Sequence, residues 1–289
     1  MQYGDHMSQR KPGVQRRRLA ARLRDLREQT GVSVETVLSE LDWSRSKLSR
    51  IETAASSISV PDVRAICDLA GASPELREQL VEMSKAAKKR GWWHSYAGNA
   101  LVDYFEDYVA LESDATSVIN YEIDLIPGLL QTEDYARSII AAWTPDIDKE
   151  IVQGRTELRV ARQKRVNDGL KLWAVVDEAA LRRGCGDEEV MRAQVRHMRE
   201  MAERPNITLQ VLPFDAGPHI AMGTAFTLLD FAGLYDSVVY IDNLTSALYL
   251  EDEAEVERYA LAAEHLRAIA LDPRLSVKML DKFDNELAR

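Results

Sequence analysis

The stretch Val32–Glu52, VSVETVLSELDWSRSKLSRIE, decides how the first third of the chain is read. Its apolar residues Val37, Leu41, Trp43, Leu48 and Ile51 fall at the spacing with which two short helices meet across a turn. Ser33 and Ser44 stand where each helix would begin, and a serine there accepts a bond from an otherwise orphaned backbone N–H. With the apolar positions turned inward, the second helix presents Ser44, Arg45, Ser46, Lys47, Ser49 and Arg50. Long cations and short hydroxyls on an exposed helix suit base edges and phosphates in a major groove. The free N–H groups at the helix start attract a phosphate as well. The pattern predicts a helix-turn-helix that binds double-stranded DNA; two unrelated amphipathic helices with solvated charges are the blander alternative.

The surroundings favour the first reading. Leu19, Leu23 and Leu26 lie on one face of a preceding helix that Gly31 should end, with Arg16, Arg18, Arg22 and Arg24 largely elsewhere. After a polar connection, Pro61 opens a helix reaching about Leu69 and stopped at Gly71. Ser73-Pro74 opens another that runs to about Arg90. Residues 15–90 are thus expected to form an all-α, five-helix domain. Residues 1–14 read as a flexible start, in which Met7 is a candidate natural first residue. Residues 1–90 carry 17 Lys/Arg against 12 Asp/Glu, whereas residues 91–289 carry 20 against 35. The whole-chain charge of −10 therefore says little about nucleic acid, because phosphates respond to the local face presented.

Beyond Lys88–Trp93 the chain changes character. Residues 103–142 read as helices interrupted at Ile126-Pro127-Gly128, and Glu150–Asn167 as a charged helix. Strands are expected at Leu172–Val176, Ile207–Pro213, Thr224–Phe231, Ser237–Ile241 and Ala247–Leu250, with helices at Asp187–Glu203 and Glu253–Ala270. Successive late strands favour an antiparallel sheet, so residues 91–289 form an α+β domain and the chain as a whole is α+β. No apolar run approaches the roughly 20 residues of a membrane span, and the start has no signal core. Cys67 and Cys185 show no metal-site or disulfide spacing. A cytoplasmic, nucleoid-associated protein with no membrane partner is the expectation.

Residues 15–75 resemble the lambda-repressor-like (XRE) helix-turn-helix family, and WSRSKLSRIET at Trp43–Thr53 is similar to actinobacterial regulators of the WhiJ type. The resemblance continues through LESDA (111–115), IPGLLQTEDYAR (126–137), RVARQ (159–163), DEAALRR (177–183), VLPFDAG (211–217) and FTLLDF (226–231). It implies a transcriptional regulator, expected to be a repressor, with an antitoxin-like C-terminal domain that binds a small protein from an adjacent gene. It also implies that Arg27 and Glu52 form a structural ion pair, so that Glu52 is scaffold rather than base reader. Two positions depart from the family: Leu38 replaces a small residue, which should push the two helices slightly apart, and Asp42 replaces a turn glycine. Aspartate tolerates the left-handed conformation that such a turn requires.

Nothing in the sequence asks for catalysis. HExxH, GxSxG, Walker and GxGxxG patterns are missing, and no cofactor or metal is implied. Asp177 and Glu178 look like an acid pair at a strand end without a reaction to serve, and Cys185 has only Arg182 and Arg183 near it in sequence. Candidate partner- or ligand-binding residues are Trp92, Trp93 and His94 at the boundary, Pro127, Gly128 and Gln131 in the Pro-Gly segment, and His219 in a turn. Each has a bland counterpart: a docked linker, a tight turn locking a core helix, a loop histidine. A homodimer is expected, since a single small head rarely supplies enough affinity. A small-molecule pocket in the C-terminal domain is the alternative to the partner protein.

Overall fold

The computed structural model describes residues 13–88, 91–96, 103–143, 147–231 and 237–288, with the backbone alone at His94, Asp103 and Tyr104. The expected flexible start therefore lies almost wholly outside the described residues. Two compact units divide the chain, Met1–Gly91 and Trp92–Arg289.

The first unit packs α1 (Val14–Gln29), α2 (Val34–Glu40), α3 (Arg45–Glu52), α4 (Val60–Leu69) and α5 (Pro74–Ala86). Its helix starts are written in serine: Ser33, Ser44, Ser59 and Ser73 each accept a backbone N–H three residues on. Past α1, Gly31 takes a φ of +71°, and Val32 N donates back to Arg27 O at 3.0 Å, closing the helix end. Leu19, Leu23, Val37, Leu48, Ile51, Val63, Leu80 and Val81 form the buried interior. Arg18, expected on an outer face of α1, is buried with them.

The second unit is built on a six-stranded sheet: β1 (Ser117–Glu122), β2 (Lys171–Asp177), β3 (Ile207–Leu212), β4 (Phe226–Asp230), β5 (Val238–Asp242) and β6 (Ala247–Leu250). Strand order is β3-β2-β1-β4-β5-β6. The expected antiparallel pairing holds for β1–β4, β4–β5 and β5–β6, but β1–β2 and β2–β3 are parallel, so the sheet is mixed. Parallel neighbours need long crossovers. Here α7 (Glu133–Trp143), α8 (Lys149–Arg162) and α9 (Lys164–Asn167) connect β1 to β2. The helices α10 (Glu178–Arg182) and α11 (Glu188–Ala202) connect β2 to β3. β1 itself corrects the sequence reading, which placed SVINYE within a helical stretch. Following α6 (Asp103–Asp114), it enters the middle of the sheet, where both faces are covered and clean alternation is lost.

One sheet face, carrying Tyr121, Phe226, Leu228, Val239 and Ile241, packs against α12 (Glu253–Ile269) through Ala262, Ala263 and Leu266. The last helix, α13 (Pro273–Glu286), was not anticipated; it packs against α11 and β3, and Ser276 Oγ accepts Val211 N at 2.9 Å. On the opposite face, β-strand positions alternate with those just named. There the ring of Tyr108 of α6 meets that of Tyr240 of β5 at 4.3 Å between centroids, tilted by 42°.

A candidate nucleic-acid interface and a charged cavity

In the first unit, α2 and α3 are joined by a turn in which Asp42 adopts φ +51° and Trp43 N donates to Leu38 O at 3.2 Å. Ser44 Oγ then accepts Lys47 N at 3.1 Å, starting α3. Leu48 and Ile51 are buried, which turns Ser44, Arg45, Ser46, Ser49 and Arg50 to solvent. Lys47 is only half-exposed. Its ammonium sits 3.9 Å from the centroid of the Trp43 ring and donates to Asp62 Oδ1 at 2.8 Å. Asp62 is therefore held below its usual range despite partial burial. Arg45 reaches Glu35 Oε1 at 2.7 Å, but both side chains are well exposed, so the contact is weak and open to exchange for a phosphate.

Arg27 anchors the far end of α3. Its Nε donates to Glu52 Oε1 at 2.6 Å and its Nη2 to Glu52 Oε2 at 3.2 Å, with Nη1 on Val32 O at 3.3 Å. The Glu52 carboxylate raises the Arg27 guanidinium further, against the opposing effect of burial. Glu52 is thus spent inside the fold rather than presented to a ligand.

The second unit contains a cavity of about 440 Å³ between the α6/α8 side of the sheet and the segment after β1. Its sheet wall is polar: Asn120, Thr227 and Tyr240 are in register across β1, β4 and β5. Continuing that register, Glu122, Ala225 and Asp242 form the next row, with alanine between two carboxylates. Asn120 Nδ2 donates to Thr227 Oγ1 at 3.1 Å and to Glu122 Oε1 at 3.3 Å. Facing the sheet, α8 supplies Arg155, Leu158, Arg159 and Arg162, one helical face carrying arginine where a packing helix would carry leucine.

These arginines differ in what holds them. Arg162, 4 % exposed, donates through Nε and Nη2 to the two oxygens of Glu112, 1 % exposed, at 2.8 and 2.7 Å. Tyr108 Oη donates to the same carboxylate at 2.9 Å, and the Arg162 guanidinium lies over the Phe105 and Tyr108 rings. Arg159 donates to Gln131 Oε1 at 3.0 Å, and among the described residues no carboxylate lies within the 4.0 Å of an ion pair. Burial, with Arg162 beside it, lowers Arg159 to about 10. Burial likewise pushes Glu122 up to about 7, and desolvation by the surrounding protein raises Asp242 although its side chain still reaches solvent. Among the described residues no three His, Cys, Asp or Glu side chains converge as a metal set would.

The residues singled out in the sequence are dispersed over this unit. Gly128 and Gln131 line the cavity. Pro127 is buried behind them, its carbonyl accepting Leu130 N at 2.8 Å in the short 3-10 turn Gly128–Leu130. Trp93 packs on Val109, Ala110 and Leu158, and Trp92 Nε1 donates to Ser113 Oγ at 3.3 Å, both serving the α6/α8 packing. The side chain of His94 lies outside the described residues. His219 stands against Tyr121 on the α12 face, its Nε2 3.4 Å from the phenol oxygen, and is not part of the cavity. Asp177 caps α10 through Ala179 N, and Glu178 accepts Phe214 N and Arg182 Nε, so the apparent acid pair is structural. Sequence reasoning missed Asn120, Glu122, Arg159, Tyr240 and Asp242. The available signal was the i, i+4, i+7 spacing of Arg155, Arg159 and Arg162, which is core-facing spacing on a helix.

Among the described residues no helix is long and apolar enough to cross a membrane. No curated protein and no solved structure matches the chain. A family model described as a helix-turn-helix domain matches residues 18–80, spanning α1 to α5. A second, described as a domain of unknown function (DUF5753), matches residues 105–282 and takes in the whole sheet, the cavity and most of α13. With well over half its length under that second model, the chain belongs to the DUF5753 family and carries a helix-turn-helix domain ahead of it.

Proposed function

We propose that this protein is a sequence-specific transcriptional regulator, a repressor that binds its operator as a homodimer and reads it with α3. The observation that carries the reading is the outward face of α3. Ser44, Arg45, Ser46, Ser49 and Arg50 are exposed together on a short, serine-capped helix in a domain of positive charge balance. A half-site pair one helical turn apart would match a two-fold dimer. The C-terminal domain is read as the regulatory half, not an enzyme. Its surplus of 35 acidic over 20 basic residues in 91–289 suits a basic partner, in keeping with the antitoxin-like resemblance to WhiJ-type regulators.

The test is a gel shift of the full chain on its own upstream DNA, with and without the small protein encoded next to it. A specific shift that weakens steeply with salt is expected, because phosphate contacts release counterions. No shift at low salt would overturn the DNA-binding reading. A shift indifferent to the adjacent protein would remove the partner from it.

A second reading is favoured by a specific observation: the 440 Å³ cavity, in which Arg159 faces Glu122 and Asp242 without forming an ion pair with either. In that reading the C-terminal domain responds to a small molecule. A change in the melting temperature of the full chain on adding a metabolite extract supports it; no change removes it.

A further inference from the structure

The cavity in the DUF5753 domain holds both signs of charge and keeps them apart. Arg159 spends one N–H on Gln131 and, among the described residues, makes no other hydrogen bond and no ion pair with Glu122 or Asp242. Gln131 is itself fixed: its Nε2 donates to Ile126 O at 2.7 Å and its main-chain oxygen accepts Gln163 Nε2 at 2.6 Å. The guanidinium is thus held in place with donors to spare, the arrangement that takes a carboxylate by a forked pair of hydrogen bonds. Arg162 cannot play this part, since Glu112 already occupies its fork.

Across the cavity, Glu122 and Asp242 flank Ala225 on neighbouring strands, with Asn120 the one side-chain donor on Glu122. Tyr240, 6 % exposed, lines the same wall beside Asp242, and among the described residues its hydroxyl meets no partner at hydrogen-bond distance and angle. A buried hydroxyl without a partner is costly, and one placed on a cavity wall is an open acceptor and donor for an occupant. Leu125, Leu129, Ile140 and Phe105 supply apolar surface around these groups.

Resting on the small-molecule reading above, we propose that this cavity binds a zwitterion with an apolar body, of the short free-peptide class. Its carboxylate docks on Arg159 and its ammonium sits between Glu122 and Asp242. A simple amine would leave Arg159 unneutralised, and a simple acid would leave the two carboxylates so. Only a molecule carrying both charges supplies what each wall lacks. Desolvation sets the carboxylates' upward shift and the arginine's downward shift, and the attraction across the cavity does not cancel it. At about 440 Å³ the space lies within the roughly 300–1,000 Å³ that encloses drug-sized molecules, larger than one amino acid needs.

The experiment is calorimetry on the full chain with a pool of unmodified apolar dipeptides, run beside the same pool N-acetylated and the same pool C-amidated. Binding of the free pool, at least tenfold tighter than either capped pool, is the expected result. Arg159→Gln should abolish the preference for the free acid over the amide and keep that for the free amine. Glu122→Gln should do the reverse. Should Arg159→Gln fail to fold, Arg159→Lys keeps the charge without the fork, and Ala225→Leu fills the floor between the carboxylates without removing a polar group; both should lose binding. Capped pools binding as tightly as the free pool overturn the zwitterion while leaving a ligand cavity. No heat from any pool, with a metabolite extract that shifts the melting of wild type and of Ala225→Leu alike, overturns both the zwitterion and the cavity as a ligand site.

Discussion

Lys47 in the middle of α3 is tied to Asp62 at the first turn of α4, Nζ to Oδ1 at 2.8 Å, with its ammonium resting on Trp43. Of the cations on α3, it is the one with work inside the fold. Arg45, held only by the exposed Glu35, and Arg50 face solvent, whereas under the proposed reading of α3 Lys47 would have to leave Asp62 or contact the duplex from where it is.

Two substitutions should therefore behave differently. Arg45→Ala is expected to weaken operator binding by about 5- to 150-fold, the effect of roughly 1–3 kcal/mol for a base contact, with the melting temperature unchanged. Lys47→Ala should lower the melting temperature of the head as well, because Asp62 and Trp43 lose their partner. Fluorescence anisotropy on operator DNA and thermal denaturation, read side by side, check this. Equal melting of both variants would mean that the Lys47–Asp62 contact contributes nothing measurable.

The Arg27–Glu52 pair makes a second prediction. Both side chains are largely buried, at 10 % and 14 % exposed, and neither has water enough to replace the other. Glu52→Ala leaves the Arg27 guanidinium with only the more exposed Glu28 carboxylate at 3.1 Å and Val32 O, and should destabilise the head by up to about 3 kcal/mol, toward the low end for a broken buried pair. Glu52→Gln keeps a hydrogen-bond acceptor and should cost less. Urea denaturation of the full chain, followed by a probe in the head, separates the two variants.

These head residues were legible in the sequence because their signals are local. Serine caps, the Asp42 turn and apolar spacing all act within a few residues, and the structure returns the helix limits nearly as expected. The body was less legible for a physical reason. β1 is central, paired with β2 in parallel and β4 in antiparallel fashion, so no alternation marks SVINYE as a strand. The cavity is written across β1, β4, β5 and α8, and only sheet register brings Glu122 level with Asp242. In sequence Arg159 and Arg162 belong to a stretch, Glu150–Asn167, that reads only as a charged helix. In the fold they point inward, where the tertiary structure supplies Glu112 to one and Gln131 to the other.

Glu112 and Arg162 support the third prediction. The pair is closed by two hydrogen bonds, topped by Tyr108 and wholly enclosed. Glu112→Ala should destabilise the body by about 3–5 kcal/mol, because the arginine remains buried with its charge unmet. Replacing both partners together, Glu112→Leu with Arg162→Met, should recover much of that loss. A double mutant no more stable than Glu112→Ala would show that the pair organises its surroundings rather than merely satisfying itself.

The fourth prediction concerns pH. Burial raises Glu122 from the ordinary carboxylate range to about 7, with Asp124 and Asp242 adding to the rise and Asn120 and Arg159 opposing it. A carboxyl group whose folded pKa is raised stabilises the fold while protonated, fully below about pH 4.5, and that stability is lost as pH climbs through 7. Asp242 shifts in the same direction. His197, lowered by burial, works the other way, since its neutral form is favoured and stability returns as pH rises through 6.5. The wild-type curve alone therefore mixes opposing contributions, and the informative quantity is the difference between wild type and Glu122→Gln. Between pH 5 and 8, wild type should lose about 3–6 °C of melting temperature relative to the variant, which cannot ionise there. Parallel curves for the two proteins would show that Glu122 is fully solvated. Saturating zwitterion should shrink the difference, because an ammonium beside Glu122 favours its ionised form and removes the cost of keeping it charged inside the fold.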